Sequence, residues 1–383
     1  MFLALRDLRF ATGRFALMGS VVALISLLLV MLSGLTAGLG GQNTAAIDRL
    51  GEQGVQRLVF GGAAGQEPTA SFTQSEFTVA QRDAWAATDG VASIEPLGVS
   101  QGRAIGLEHP VDTDPQGRAD VSGEPTTGVA TTAFIGLTPG GSDAPAGVEP
   151  GEIVLSQDVA DSLHAQAGDA VAVSGFVYTV ADVVPTEYYS HSPVTWLALE
   201  DWNAISHTAD DAVLGTAGLV RFDAGADVDA VAAAGDAAAG TVAETVKGSY
   251  AALPSYRSEN GSLMTMQGFL YAISALVVIA FLSIWTVQRT RDIAVLKALG
   301  GSNGWVLKDS LAQAAFVLVG GVAVGTGLAS VIGAFAGRAV PFELSWATTA
   351  VPAAGVLVLG MLAAVVAVFR VTRIDPLVAL GGN

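Results

Sequence analysis

Residues 15–47 read FALMGSVVALISLLLVMLSGLTAGLGGQNTAAI and contain no Asp, Glu, Lys or Arg. Three further uncharged stretches follow at 260–288, 310–337 and 344–369. A bilayer core of about 30 Å is crossed by roughly 20 apolar residues in a helix, because a helix pairs its own amides. The sequence therefore predicts four transmembrane helices, one before and three after a long polar segment.

Two other interpretations of these stretches are weaker. Buried helices of a soluble protein usually keep one wetted face and rarely stay uncharged for so long. Residues 15–38, preceded by Arg6, Arg9 and Arg14, have the order of a cleaved signal peptide. The apolar run is too long for one, however, and three more spans follow it. We therefore predict an uncleaved first span.

The distribution of basic residues predicts the orientation in the membrane. Half of the 18 Lys and Arg residues border the spans on one side: Arg6, Arg9, Arg14, Arg289, Arg291, Lys297, Lys308, Arg370 and Arg373. Basic residues are enriched on the cytoplasmic side of membrane proteins. We therefore expect a multi-pass protein of the cell (plasma) membrane with both termini cytoplasmic and the long polar segment extracellular.

The polar segment, residues 42–262, is strongly acidic. It holds 30 Asp and Glu against 8 Lys and Arg, a charge of −22, and the rest of the chain carries +5, which gives the net charge of −17. Such a charge argues against nucleic-acid partners. The chain has no cysteine, which excludes disulfides and thiolate metal sites.

At about 220 residues, this segment is long enough to bury its own core, and we predict an α+β domain. Residues 151–184 read as a strand, a helix, a turn and two strands around Gly175. Residues 226–240 predict a helix plus loop, and residues 111–147, rich in Gly, Pro, Thr and Asp, predict a surface loop or subdomain boundary.

The complete predicted layout has eight parts. They are a cytoplasmic segment with the first span (1–41), the extracellular domain (42–262), the second span (263–288), a cytoplasmic coupling helix and loop (289–309), the third span (310–337), an outer loop (338–346), the fourth span (347–370) and a cytoplasmic tail (371–383).

No catalytic motif is present in the sequence. It lacks a G-x-x-x-x-G-K-[ST] phosphate loop, an H-E-x-x-H metal motif and a G-x-S-x-G nucleophile turn. The four histidines, His109, His164, His191 and His207, lack metal-ligand spacing and are expected at the surface. We therefore predict that the chain is not an enzyme by itself, and that any nucleotide hydrolysis takes place on another chain.

The basic loop after the second span contains an amphipathic segment, RTRDIAVLKALGGSNGWVLKD at residues 289–309. Its apolar residues Ile293, Val295, Leu296 and Leu299 precede Gly300-Gly301, which predicts the end of a helix. A short helix of this kind lies on a membrane surface or fills a groove in a partner protein. The composition does not choose between the two.

This segment resembles the R-x-x-[ED]-I-[AG]-[VI]-L-[KR]-A-[LI]-G motif of the FtsX/MacB-like ABC transporter permeases. Residues 151–184 are similar to a conserved core of their external domains, and residues 374–380, IDPLVAL, resemble their C-terminal tail. The resemblance implies one span, an external domain and three spans. It also implies a homodimer with two copies of a separate ABC ATPase. The matching coupling residues are Arg289, Asp292, Ile293, Leu296, Lys297, Leu299 and Gly300.

Two further strings, SGLTAGLGGQN at residues 33–43 and YSHS at residues 189–192, resemble the heme-exporter (HrtB-like) branch of this family. That resemblance implies heme as the substrate, ATP on the partner subunit, no permanently bound cofactor, and spans that act as levers in mechanotransmission. No metal is expected apart from the heme iron.

A heme site needs apolar walls, an axial ligand and a cation for the propionates. The residues near the outer end of the second span supply these groups, together with one residue of the first span: Met31, Tyr256, Arg257, Glu259, Met264, Met266 and Phe269. Packing residues and an interfacial anchor would have the same composition. Tyr189 and His191 form a second candidate site, or a hydrogen-bonded pair in the core.

Glycines of the third span allow close helix contact or are ordinary membrane-helix glycines: Gly320, Gly321, Gly325, Gly327, Gly333 and Gly337.

Two other functions share the predicted topology. One is a non-transporting transducer that activates a cell-wall hydrolase, and the other is an extruder of drugs or lipoproteins. A neighbouring amidase gene would favour the transducer, whereas neighbouring genes for an ATPase and a heme-responsive sensor pair would favour heme export.

Overall fold

The computed structural model describes residues 12–63, 66–206, 212–288 and 303–372. The chain divides into two compact units. We call them the helical unit, which contains residues up to 39 and from 260 onward, and the sheet unit, Gly40–Glu259.

Within the described ranges, four helices are long and four are short. The helices are α1 (Thr12–Glu52), α2 (Val79–Ala86), α3 (Gln157–Leu163), α4 (Leu199–Ile205), α5 (Val228–Ala239), α6 (Pro254–Gln288), α7 (Asn303–Ala336) and α8 (Trp346–Thr372), with a 3₁₀ turn at Gly248–Ala252.

Twelve strands are present in the described part of the chain. They are β1 (Arg57–Phe60), β2 (Phe77–Thr78), β3 (Val91–Leu107), β4 (Thr126–Leu137), β5 (Glu152–Ser156), β6 (Ala170–Val173), β7 (Phe176–Val184), β8 (Tyr188–Tyr189), β9 (Ser192–Ala198), β10 (Val213–Gly215), β11 (Ala217–Phe222) and β12 (Val242–Thr245).

The four long helices α1, α6, α7 and α8 are each long and apolar enough to cross a membrane. The prediction of four apolar helices and a sheet-containing domain is confirmed. In chain order α1 precedes the strands and the other three follow them. The predicted limits at 41 and 262 lie inside helices, because α1 continues to Glu52 and α6 begins at Pro254.

The helical unit is held together by a seam of apolar side chains. On α1 the buried residues Phe15, Met18, Val22, Ile25 and Leu29 recur every three or four positions, which places them on one face of the helix. Leu17, Leu24 and Leu28 of the same helix are exposed. An exposed apolar face opposite a packed one is what a lipid-facing helix presents.

Glycines of α7 allow it to approach α1 closely. A Cβ atom on Gly325 would lie 2.2 Å from the carbonyl oxygen of Ala23, and one on Gly321 would lie 2.9 Å from Val22. The predicted close contact at Gly321 and Gly325 is therefore confirmed. Gly320 and Gly327, by contrast, have no atom within 4 Å of the added Cβ.

The sheet unit contains a closed barrel extended by an open sheet. The seventeen-residue strand β3 belongs to both. Its first half pairs with β11 in the order β12-β1-β11-β3, and its second half begins the ring β3-β4-β9-β5-β7-β6. The ring closes because Ala104 of β3 pairs with Ala130 on one side and with Val173 of β6 on the other.

Each part of the sheet unit has its own buried core. Side chains such as Phe134, Leu155 and Val171 fill the barrel, and α3 and α4 contribute Leu163 and Trp202 to the same cluster. Next to the open sheet, Trp85 of α2 is fully buried, and its indole N–H donates to Thr241 Oγ1 at 2.9 Å.

Three local predictions for this unit have clear outcomes. The order strand, helix, turn, strand, strand in residues 151–184 is confirmed by β5, α3, β6 and β7. The helix plus loop at 226–240 is confirmed by α5. The surface loop predicted for 111–147 is wrong in part, because β4 is a barrel strand with buried Phe134 and Ile135. Thr, Ala and Gly dominate its sequence, and they hid the strand.

Candidate functional site

A strained two-residue turn of the sheet unit contains the first side chain of the site. Ser190 and His191 connect β8 to β9, and both have positive φ values, 47° and 64°. A hairpin turn of this length favours Asn-Gly, because most side chains avoid this conformation. The turn is held by backbone bonds to α1: Ser190 N–H donates to Asn43 O at 3.1 Å, and His191 N–H donates to Gln42 O at 2.9 Å.

The carboxylate of Glu259 accepts hydrogen bonds from two side chains. His191 Nε2 lies 2.9 Å from each carboxylate oxygen, and Asn43 Nδ2 lies 3.2 Å from Oε2. An ionised carboxylate only accepts hydrogen bonds, so Nε2 of the imidazole must carry a proton in this arrangement. The contact of 3.0 Å between Asn43 Nδ2 and His191 Nε2 then joins two donors that share one acceptor group.

Two serines fix the orientation of the Asn43 amide. Ser255 Oγ donates to Asn43 Oδ1 at 2.7 Å, and Ser190 Oγ lies 2.8 Å from Ser255 Oγ. The Asn43 amide nitrogen must therefore point toward Glu259. We call the five residues Asn43, Ser190, His191, Ser255 and Glu259 the Glu259 cluster.

The Glu259 cluster is accessible to solvent at its acidic end. The side chains of His191 and Glu259 are 30% and 39% exposed. A ligand in solution or at a membrane surface can therefore reach the carboxylate without unfolding the sheet unit. Glu259 and His191 were predicted in two separate candidate sites, and the structure brings them together.

A second polar group lies nearby in the sequence of α1. Asp48 accepts hydrogen bonds from the hydroxyl of Tyr250 and from Thr44 Oγ1, the latter at 3.0 Å. Burial, followed by the hydrogen bond to Asp48, raises the pKa of Tyr250. The ring of Tyr256 packs edge-on against Tyr250 at 5.4 Å between centroids. Tyr256 therefore contributes to packing in this structure.

The remaining candidates of the sheet unit, Tyr189 and Arg257, differ in exposure. Tyr189 is 4% exposed, its ring packs against Phe72, and burial raises the pKa of its hydroxyl. Arg257 is exposed and has no ion-pair partner among the described residues. It lines a polar recess of about 270 Å³ with Thr69, Ser71 and Thr73.

Four candidates belong to the helical unit. Met264, Met266 and Phe269 on α6 are 57%, 54% and 65% exposed, and Met31 on α1 is half-buried. The methionines and Phe269 of α6 therefore do not pack inside the unit. The coupling residues at 289–300 lie outside the described residues, so their assignment stays a prediction.

Three members of the cluster were absent from the predicted site residues, and His191 was expected at the surface. Asn43, Ser190 and Ser255 were not candidates, although the strings at 33–43 and 189–192 contain two of them. His109 and His164 are exposed as expected, whereas His191 is half-buried in the cluster. Those strings carry a signal, because each supplies a group that holds Glu259.

A second missed network lies in the helical unit at the far end of α6. Gln313 on α7 is 1% exposed, and both ends of its amide are bonded. Its Nε2 donates to Asp309 at 3.0 Å, and its Oε1 accepts from the Trp285 indole at 3.3 Å. The ring of Trp285 also packs against Phe15 of α1 at 4.8 Å. These contacts join three helices next to the predicted coupling loop.

Comparison with known proteins finds a matching domain in the C-terminal part of the chain. Residues 264–376 match the FtsX-like permease C-terminal family. A putative hemin transport system permease protein HrtB of Staphylococcus epidermidis is 21% identical over 391 residues, which is 100% of this chain and 100% of that protein. The C-terminal part of the chain is therefore an FtsX-like permease domain. The resemblance drawn from its motifs is thereby confirmed.

Other relatives of this permease match over shorter lengths. An HrtB protein of Staphylococcus haemolyticus is 29% identical over 130 residues, and this chain covers 37% of its length. An uncharacterized ABC transporter permease of Mycobacterium tuberculosis is 34% identical over 113 residues, 30% of this chain and 32% of that protein.

Two solved structures have weak similarity to the permease. One is the extracellular domain of the ABC-type transporter YknZ from Gram-positive bacteria, with a TM-score of 0.31 and 14% identity over 46% of this chain and 87% of that one. The other is the periplasmic region of MacB from Actinobacillus actinomycetemcomitans, with a TM-score of 0.34 and 10% identity over 51% and 90%. These scores are too low to establish a shared fold.

Proposed function

We propose that this permease is the membrane subunit of an ATP-driven exporter of heme. The observation that carries the proposal is the match to the hemin transport permease HrtB along the full length of both chains. The identity of 21% is low, so the substrate is inferred from the relative and tested below. The four long apolar helices support a place in the cell membrane.

In this proposal ATP is hydrolysed by a separate subunit. The 383 residues contain no G-x-x-x-x-G-K-[ST] phosphate-binding loop, which supports this division of labour. We propose a homodimer with two ATPase copies that dock on the coupling segment at residues 289–300. The basic flanks of this segment support a cytoplasmic location for it and for both termini.

Among the candidate ligands, Glu259 fits a heme iron best. Its carboxylate is partly exposed and already oriented by two donors, whereas Tyr189 is enclosed in the core and its raised pKa disfavours the tyrosinate that would bind iron. Met31, Met264 and Met266 are the alternative ligands. Arg257, which lies in the same unit as Glu259 and has no ion-pair partner among the described residues, offers a cation for a propionate.

The test is a hemin titration of the permease–ATPase complex in detergent, followed by the Soret band. We expect a saturable shift that Glu259→Gln changes in position, because the variant removes the anionic ligand. Met264→Leu removes one of the alternative ligands and should leave the Soret band unchanged if Glu259 binds the iron. Arg257→Gln should weaken affinity at an unchanged Soret position, since a charge-assisted hydrogen bond contributes about 1.5–3 kcal/mol.

Two results would contradict the proposal. One is a spectrum that equals hemin in empty micelles at every concentration. The other is a Soret shift given equally by an unrelated membrane protein of similar size. Iron-free protoporphyrin in the same titration separates iron ligation from partition of the macrocycle into the micelle.

A further inference from the structure

His191 and Glu259 come from distant parts of the sheet unit, and their contact needs an unusual backbone. The residues are 68 positions apart, and Asn43 is 148 positions from His191. Two successive non-glycine residues with positive φ are strained. Strain of this kind persists only where surrounding contacts hold it, and the two backbone bonds to α1 do so here.

The strained turn aims an N–H donor at the carboxylate. Nε2 is equidistant from the two oxygens, at 2.9 Å, and Asn43 adds a donor to Oε2. A carboxylate has about four lone-pair positions, so these contacts leave at least one free for a Lewis acid. The carboxylate is thus held in one orientation and keeps a lone-pair position for a ligand.

We infer that His191 is a positioning residue for Glu259 and sets its affinity for the iron of the substrate. This inference rests on the proposed heme function. A free Glu side chain loses rotamer freedom when it binds a ligand, and a side chain that is already held loses much less. A turn of the β8–β9 hairpin therefore controls how well a residue at the start of α6 binds its ligand.

Two variants of His191 separate positioning from simple structural support. In His191→Gln the amide nitrogen reaches the place of Nε2 and still donates to Glu259. In His191→Asn the side chain is too short to reach the carboxylate, but Asn tolerates positive φ well, so the turn remains. Equal thermal unfolding midpoints of the two variants will show that both fold.

The measurement is hemin affinity and Soret position of the full permease–ATPase complex. We expect His191→Gln to resemble the unmodified protein and His191→Asn to bind about tenfold more weakly with an altered Soret band, since the carboxylate is no longer oriented. In the Glu259→Gln background, His191→Asn should have no further effect, because His191 acts through Glu259.

Each other outcome contradicts a distinct statement. Unchanged affinity and spectrum in His191→Asn would overturn the positioning role while the heme function stands. Equal loss in both variants, persisting in the Glu259→Gln background, would make the imidazole itself a ligand and overturn it as well. No saturable hemin binding by the unmodified complex would refute the heme function, and the role of His191 in it.

Discussion

A glycine of α1 creates the space in which a phenylalanine of the α7–α8 connection packs, and replacing it should destabilise the helical unit. A Cβ atom on Gly34 would lie 2.3 Å from Cζ of Phe342 and 2.6–2.7 Å from two further ring atoms. Carbon atoms in contact prefer about 3.5–4 Å, so the ring would have to move by about 1 Å or more. Behind it, a Cβ on Gly333 would lie 2.6 Å from the same ring, which leaves the ring no free space there.

The magnitude follows from these contacts. Overpacking of this kind costs about 1–3 kcal/mol. Displacement of the loop also breaks the hydrogen bond of 3.0 Å from Glu343 N–H to Gly34 O, which contributes about 0.5–1.5 kcal/mol. Removing a helical glycine returns a few tenths of a kcal/mol when the new residue is Val. We therefore expect Gly34→Val to lower the free energy of unfolding by about 2 kcal/mol.

The assay is reversible unfolding of the permease in mixed micelles, with the double variant Gly34→Val/Phe342→Ala completing a thermodynamic cycle. If the ring is the obstacle, Gly34→Val should be neutral or slightly stabilising when Phe342 is already Ala. Gly320→Val on α7 is the matched control, because no atom lies within 4 Å of its added Cβ. Additive effects of Gly34→Val and Phe342→Ala would show that the Phe342 ring is not the obstacle.

Three further predictions concern energy coupling, topology and pH. Leu296→Asp places an unpaired carboxylate in the proposed ATPase contact at a cost of several kcal/mol, so it should abolish co-purification of the ATPase, whereas Asn303→Asp, outside the apolar strip, should not. In intact cells a cysteine at Ser302 should be protected from an impermeant thiol reagent and one at Ser142 should be labelled; the reverse pattern would invert the orientation. Burial raises the pKa values of Glu187, Asp201 and Asp236 in the folded state. The stability that these groups contribute is complete below their unfolded pKa values near 4. It is lost as the pH rises through their folded pKa values. The sheet unit should therefore unfold at a higher temperature at pH 5 than at pH 8, and an equal or lower temperature at pH 5 would contradict the effect of burial.

The helices could be predicted from the sequence because a bilayer rewards a local property, the length of an uncharged apolar run. Residues 151–184 were predicted correctly for a similar reason, since the alternation of their side chains is local. Closure of the barrel was beyond such arguments, because Ala104 and Val173 pair across a long stretch of chain and their residue types do not show it. β4 was missed because its Thr, Ala and Gly residues resemble a loop.

The candidate site could be predicted only in parts. Glu259 and His191 were recognised as residues able to bind a ligand, from their chemistry and their position in the chain. Their contact depends on a turn with two positive φ values, and a Ser-His pair gives no sign of such a turn in the sequence. The role of Asn43 was hidden for the same reason, since its orientation is fixed by Ser255, more than 200 residues later.

The proposed export of heme can be measured directly as ATP-driven transport into liposomes. The permease–ATPase complex is reconstituted into hemin-loaded liposomes that enclose apomyoglobin, and ATP is added outside, where it reaches only complexes whose ATPase faces out. If the complex exports heme, holomyoglobin in the lumen should increase with ATP. An ATPase variant unable to hydrolyse ATP should give no increase. If holomyoglobin forms at the same rate with and without ATP while the complex hydrolyses ATP normally, the protein is not a heme exporter.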